Sequence, residues 1–237
     1  MSHLHIPDGV LPGWLVLAGW ICTALILAFC TYRVRRVELM RKVPLIGIIS
    51  ALMIVTMTLP IIPFAYHVNL SVVAGIILGP AVAFISIFLV DLIIAMFGHG
   101  GITVVGLNTI VIGAEAVLGF YLFQFFRLLM GSYSIGWSSA LAAVLSLILS
   151  TSLLLGLLYA AHVNPEMVID TDKEHTSIHT AQEEKHITNG IKINIASFAK
   201  TVVILLTFGW ILEGVITGLV IKYVSGVRPD LIQTDTT

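Results

Sequence analysis

Charge is what this chain has least of. Asp, Glu, Lys and Arg together make up 11% of its 237 residues while hydrophobic side chains make up 58%, against roughly 25% charged residues in an ordinary soluble domain. With a mean hydropathy of +1.03, a water-soluble globular fold is excluded and an integral membrane protein is implied. The formal net charge of -1 offers no basic face to a nucleic acid. Cysteine is nearly absent too. Cys22 and Cys30 both lie in the first apolar run, where packing is a better account of them than a disulfide or a metal pair. There is no Gly-x-x-x-x-Gly-Lys-Ser/Thr loop and no His-Glu-x-x-His pair, so neither ATP hydrolysis nor zinc-protease chemistry is built into the chain. The short N-terminal leader lacks Lys and Arg, and the apolar run after it is as long as a full span; both features predict a retained helix instead of a cleaved signal peptide.

What is there is a series of long apolar runs. They point to an all-α bundle, because a spanning helix needs about 20 apolar residues whereas barrel strands alternate over about 10. Helices are predicted over roughly 11–32, 44–63, 104–130, 136–161 and 195–224, with Pro44 in the first turn of the second and Pro60 and Pro63 ending it. The stretch 70–97 is too long for one simple span and is divided at Gly79-Pro80 into a short third helix and a fourth. A seven-helix membrane bundle results, a single domain over 1–237. Arg33, Arg35, Arg36, Arg41 and Lys42 follow the first helix, and the positive-inside rule makes that loop cytoplasmic. The N-terminus is then outside and the C-terminus inside, with Lys222 and Arg228 in the cytoplasm. Segment 163–194, rich in Asp, Glu, His, Lys and Thr, forms a polar outer loop. No internal repeat is evident.

In this topology all eight histidines fall at or beyond the outer face. Residues 1–10 form a leader that carries His3 and His5 into a turn set by Pro7 and Asp8-Gly9, directly ahead of the first helix. Imidazole, amine and amide nitrogens suit nickel, copper or cobalt, whereas calcium and magnesium favour oxygen. His67 stands in the loop after the second helix. His99 is enclosed by glycines in Phe97-Gly98-His99-Gly100-Gly101-Ile102-Thr103, a tight outer turn. His162, His175, His179 and His186 belong to the solvated loop. Asp91, Glu115, Lys200 and Glu213 are charges inside helices and require partners, most simply within the bundle.

These motifs resemble a known family. His5-Ile6-Pro7-Asp8-Gly9-Val10-Leu11-Pro12, His67 followed by Gly75-Ile76-Ile77-Leu78-Gly79-Pro80, the Phe97–Thr103 turn with Gly106-Leu107-Asn108, and the closing Val227-Arg228-Pro229-Asp230-Leu231 are similar to the CbiM/NikM substrate-binding membrane subunits of cobalt and nickel energy-coupling factor transporters. The resemblance implies a leader that plugs a metal pocket from outside. It also implies a near square-planar set of nitrogens from the terminal amine, the leader histidine's amide and imidazole, and one further histidine. By motif His5 is the leader histidine and His67 the further one, with Met1 and His3 joining the ligand set according to where the free amine lies. Asp8, His99 and Asn108 would support the ligands. Such a subunit binds no permanent cofactor; nickel or cobalt is its cargo. Its partners would be a coupling transmembrane subunit, a pair of ATP-binding cassette ATPases and a small accessory membrane subunit in a prokaryotic plasma membrane.

Two departures from the family pattern matter. Its members typically begin Met-His-Ile-Pro, while here Ser2, His3 and Leu4 intervene. Three accounts stay open: loss of Met1 exposes Ser2-His3; translation starts at Leu4, read as methionine; or His3 and His5 act together. The second departure is His99, where the family usually has an acidic residue. Gly47 and Ala51 form a small-xxx-small face, suited either to a coupling-subunit contact or to packing inside the monomer. Two other classes are weaker. An intramembrane protease would need Gly136-Trp137-Ser138-Ser139 to hold its nucleophile, but every histidine is at the opposite face. A self-sufficient channel would need a polar path through an interior that is apolar.

Overall fold

The structure is a computed structural model that describes residues 8–9, 11–34, 36–58, 67–98, 100–131, 134–160 and 195–232. Among these residues all regular secondary structure is helical: α1 (Gly13–Arg33), α2 (Arg36–Thr58), α3 (Ser71–Leu78), α4 (Pro80–Met96), α5 (Val105–Met130), α6 (Ile135–Ala160) and α7 (Ile195–Val227). A 3₁₀ turn over Pro229–Leu231 closes it. Four helical stretches are long and apolar enough to cross a membrane, namely Gly13–Arg33, Val105–Met130, Ile135–Leu157 and Leu206–Val227. Trp14, Leu17, Ile21, Leu25 and Phe29 are exposed along α1, an apolar surface that lipid covers. The polar loop 163–194 lies outside the described residues.

One element, α2, departs from its expected boundary, and α3 is the short helix expected before Gly79-Pro80. α2 does not open on Pro44 but begins at Arg36, with Pro44 inside it. An interior proline leaves the carbonyl four residues back without its helical donor, and membrane helices tolerate this where neighbours satisfy the freed group. α3 is only 8 residues, about 12 Å at the helical rise, too short to cross a core of about 30 Å by itself. It is buried on every side, as a helix apolar all round must be. The break falls at Gly79, whose φ of +84° lies in the region open to glycine, and Pro80 opens α4 at its first turn. Lys42 of α2 donates to the Leu78 carbonyl at 3.0 Å, which caps the C-terminal end of α3.

Glycine sets how closely the helices approach. A Cβ on Gly75 of α3 would strike the Ala116 carbonyl of α5, and one on Gly119 would lie 2.7 Å from the Val72 side chain. On the next face of α5, a Cβ on Gly106 would come within 2.9 Å of the backbone at Gly19 and Trp20 of α1, where Thr23 Oγ1 also donates to the Gly106 carbonyl at 2.6 Å. α6 and α7 meet through Gly136 and Gly218 in the same manner. Close packing through small residues is how helices associate when lipid removes the hydrophobic drive between them. α1 and α5 therefore run parallel, and their N-terminal ends lie at one end of the bundle. At the opposite end Arg33, Lys42 and Gln124 border a cavity of about 500 Å³. There the closing turn is held by Arg228, whose guanidinium donates twice to Asp230 at 2.9 and 2.8 Å and keeps that exposed carboxyl below its ordinary pKa.

Replacing Gly75 by leucine should force α3 off α5 and lower stability by about 1–3 kcal/mol or more. Thermal unfolding followed by circular dichroism in detergent reads this, and an unchanged midpoint would show that the contact does not set the packing.

Candidate metal site

The site begins with Asp8. Its Oδ2 accepts the backbone N–H of Ile102 at 3.0 Å, and its Oδ1 accepts the N–H and hydroxyl of Thr103 at 2.9 and 2.5 Å. A Cβ on Gly101 would collide with both the carboxylate and the backbone nitrogen of Asp8, so only glycine lets the leader lie against this turn. Gly9, at φ +82°, then swings the chain away. Thr103 is fixed in its turn by Trp20 of α1, whose indole N–H donates to the Thr103 carbonyl at 2.7 Å. The residue expected to support the ligands is thus a staple between leader and α4–α5 turn, made of charge-assisted bonds, which are stronger than neutral ones. His5 is three residues from it, at most about 10 Å along an extended chain.

His67 comes next. It is half-buried, its Nδ1 shut away from solvent, and it stands in a non-helical strap, residues 67–70, leading into α3. Val68, Asn69 and Leu70 behind it are buried. Asn69 is the centre of a polar hub. Its backbone N–H donates to Glu213 Oε1 of α7 at 2.7 Å, its side-chain Nδ2 donates to Glu115 Oε1 of α5 at 3.0 Å, and its Oδ1 accepts the Ser71 N–H at 2.9 Å. Ser71 Oγ also donates to Glu115 Oε1, and Ser150 of α6 donates to Glu115 Oε2 at 3.2 Å. The Gly75 contact explains why Ser71 reaches Glu115: one turn earlier on α3, it faces the α5 residue beside Ala116.

The charges inside helices are therefore held by hydroxyls and an amide. Asp91 of α4 accepts Thr109 Oγ1 of α5 at 3.0 Å; the side chain of Lys200 lies outside the described residues. Asn108, expected to support the ligands, is buried in the first turn of α5, beside Thr109. Met1, His3, His5 and His99 lie outside the described residues, as do the loop histidines, so of the expected ligands the structure places only His67. Among the described residues no three His, Cys, Asp or Glu side chains converge.

Gly47 and Ala51 are exposed on α2, a Cβ on Gly47 would meet nothing within 4 Å, and Ile48, Leu52 and Val55 beside them are exposed too. Among the described residues, none packs closely over that face. Ser138 is fully buried with no hydrogen-bond partner for its hydroxyl, so nothing among the described residues would activate it as a nucleophile. Sequence reasoning missed Asn69, Ser71, Ser150 and Thr103. The one available signal was that Asn69 and Ser71 are the polar residues at the entrance to an otherwise apolar helix.

Comparisons with known proteins bear on the family and the fold. A provisionally named metal transport protein of Haemophilus influenzae is 34% identical over 125 residues, a match spanning 51% of this chain and 58% of that protein. A protein of the same description from Haloquadratum walsbyi is 26% identical over 240 residues, 98% of this chain and 94% of the relative. The crystal structure of a transition metal transporter superposes with a TM-score of 0.65 at 24% identity, covering 94% of this chain and 93% of the other. That of a truncated transition metal transporter gives 0.64 at 24% identity, covering 94% and 99%. At this identity the superpositions speak for the fold. Residues 5–231, nearly the whole chain, match the family described as the cobalt uptake substrate-specific transmembrane region. The protein belongs to that family, CbiM, a family of multi-pass membrane proteins of metal uptake.

Proposed function

We propose that this chain is the substrate-capture subunit of an ATP-driven transporter of the energy-coupling factor type, and that it takes up nickel or cobalt at the outer membrane face. The observation that carries this reading is the Asp8 staple. Three hydrogen bonds to the α4–α5 turn hold a histidine-bearing leader on the bundle at the end away from Arg33 and Lys42. A leader so held can offer amine, amide and imidazole nitrogens, and His67 completes the set from its half-buried strap. His5 is the leader ligand if the mature chain starts at Leu4, His3 if it starts at Ser2, and both act together if the extension is kept.

Nitrogen ligands in a plane favour nickel and related ions over zinc, which favours a tetrahedron. Capture alone does not move the ion uphill. With no phosphate-binding loop in its sequence, the chain would draw on a pair of cassette ATPases through a coupling membrane subunit, assisted by a small accessory membrane subunit. The exposed Gly47/Ala51 face of α2 suits the close approach of a coupling helix.

Three experiments test this reading. His67→Ala should cost more than about 100-fold in nickel or cobalt affinity, beyond the 10–100-fold typical of groups that only support a ligand, with helical content unchanged; wild-type affinity by calorimetry would remove His67 from the ligand set. Asp8→Ala should weaken binding by about 10–100-fold by freeing the leader, and a leader that still binds at full strength would mean the staple is dispensable. Gly47→Trp should reduce uptake by the complete transporter while the isolated subunit binds metal normally. Normal uptake and co-purification with the coupling subunit would reject that contact.

A further inference from the structure

The strap 67–70 runs through the protein interior in non-helical conformation, and its last carbonyl, that of Leu70, accepts the Ala74 N–H of α3 at 2.9 Å. Backbone donors in such a place must find acceptors, because no lipid or bulk water can supply them. Asn69 N–H finds Glu213 and Ser71 N–H finds the Asn69 side chain. The Asn69 amide has one orientation that suits its neighbours: Nδ2 toward a carboxylate, which only accepts, and Oδ1 toward a backbone N–H, which only donates. One residue is thereby tied to α7 by its backbone, to α5 by its side-chain nitrogen and to the first turn of α3 by its side-chain oxygen. Its partners are 144 and 46 residues away along the chain. His67 is two residues from this anchor, at most about 7 Å.

Carboxylates are an expensive choice of acceptor inside a membrane protein. Three are buried among the described residues, Asp91, Glu115 and Glu213. Asp91 is engaged with Thr109 elsewhere; the other two converge on Asn69. A neutral acceptor would satisfy the same donors with weaker bonds, so the arrangement favours stiffness at residue 69.

We infer that Asn69, clamped between Glu115 and Glu213, is the positioning residue of His67, and that this clamp sets the affinity and geometry of the metal site. The inference rests on His67 being a ligand as proposed above. Four donors in one plane tolerate little displacement, and the groups that orient metal ligands tune the metal as strongly as they hold it. Loosening the clamp leaves every ligand present and lets the imidazole leave the plane.

The test is nickel titration of the purified full-length chain, followed by calorimetry and by the visible ligand-field absorption of the bound ion. Asn69→Ala and Glu213→Leu should lower nickel affinity by about 10–100-fold and shift the absorption band. Glu213→Gln keeps an oxygen for the Asn69 N–H, through a weaker neutral bond, and should recover most of the affinity and band position lost in Glu213→Leu. Asn69→Ser can still accept from Ser71 N–H but cannot span to Glu115; it should shift the band with the helices intact, and it serves if Glu213→Leu does not fold. A band and affinity unchanged in Asn69→Ala and Asn69→Ser, alongside loss of binding in His67→Ala, would overturn the positioning role alone. Retained binding in His67→Ala would bring down the reading of the site itself.

Discussion

An interior without water has to satisfy every backbone donor and every charge from within, and the arrangement around residue 69 is the meeting point of those demands. The chain leaves helix between α2 and α3, which exposes N–H groups that no i−4 carbonyl can take. Glu213 and Asn69 accept them, and Glu115 is in turn satisfied by Asn69, Ser71 and Ser150. Each partner answers a need of the other: carboxylates that would be costly alone, and a backbone that could not otherwise be non-helical at that depth. Because the contributors come from α5, α6 and α7, the hub also ties the second half of the chain to the strap that bears His67.

Close helix approach is what makes the hub geometrically available. Gly75 and Gly119 bring α3 onto α5 until backbone nearly meets side chain and carbonyl, and this draws Ser71 to Glu115. Gly19 and Gly106 do the same for α1 and α5, and there the reward is at the other end of the contact: Trp20 reaches Thr103, and Thr103 receives Asp8. Two small-residue seams on different faces of α5 thus support the two halves of the candidate site, the leader staple and the His67 strap. α5 is the common wall.

The division of labour along the molecule follows from charge and exposure. Basic residues border the cavity at one end, the leader is stapled at the other, and α2 shows an exposed small-residue face between them. Under the function proposed above, the ion is captured at the leader end and partners deliver energy at the surface of the bundle.

Much of this was legible without coordinates. Scarce charge and 20-residue apolar runs determine a helical membrane protein, because only closed hydrogen-bonding crosses lipid; Gly79-Pro80 marks the break between α3 and α4, and Gly98 to Gly101 mark a turn, because each breaks helix by local chemistry. Asp8, Gly9 and His67 stand out as residues out of keeping with their surroundings. The start of α2 was misplaced since Pro44 is judged by local preference, and a membrane helix can accommodate it by tertiary means. The partner of Asp8, and the bonding of Asn69 to Glu115 and Glu213, could not be read at all. Those contacts join positions 94 to 144 or 46 residues apart, and no periodicity links them. Only the packing of glycine seams in three dimensions decides which buried carboxylate meets which donor.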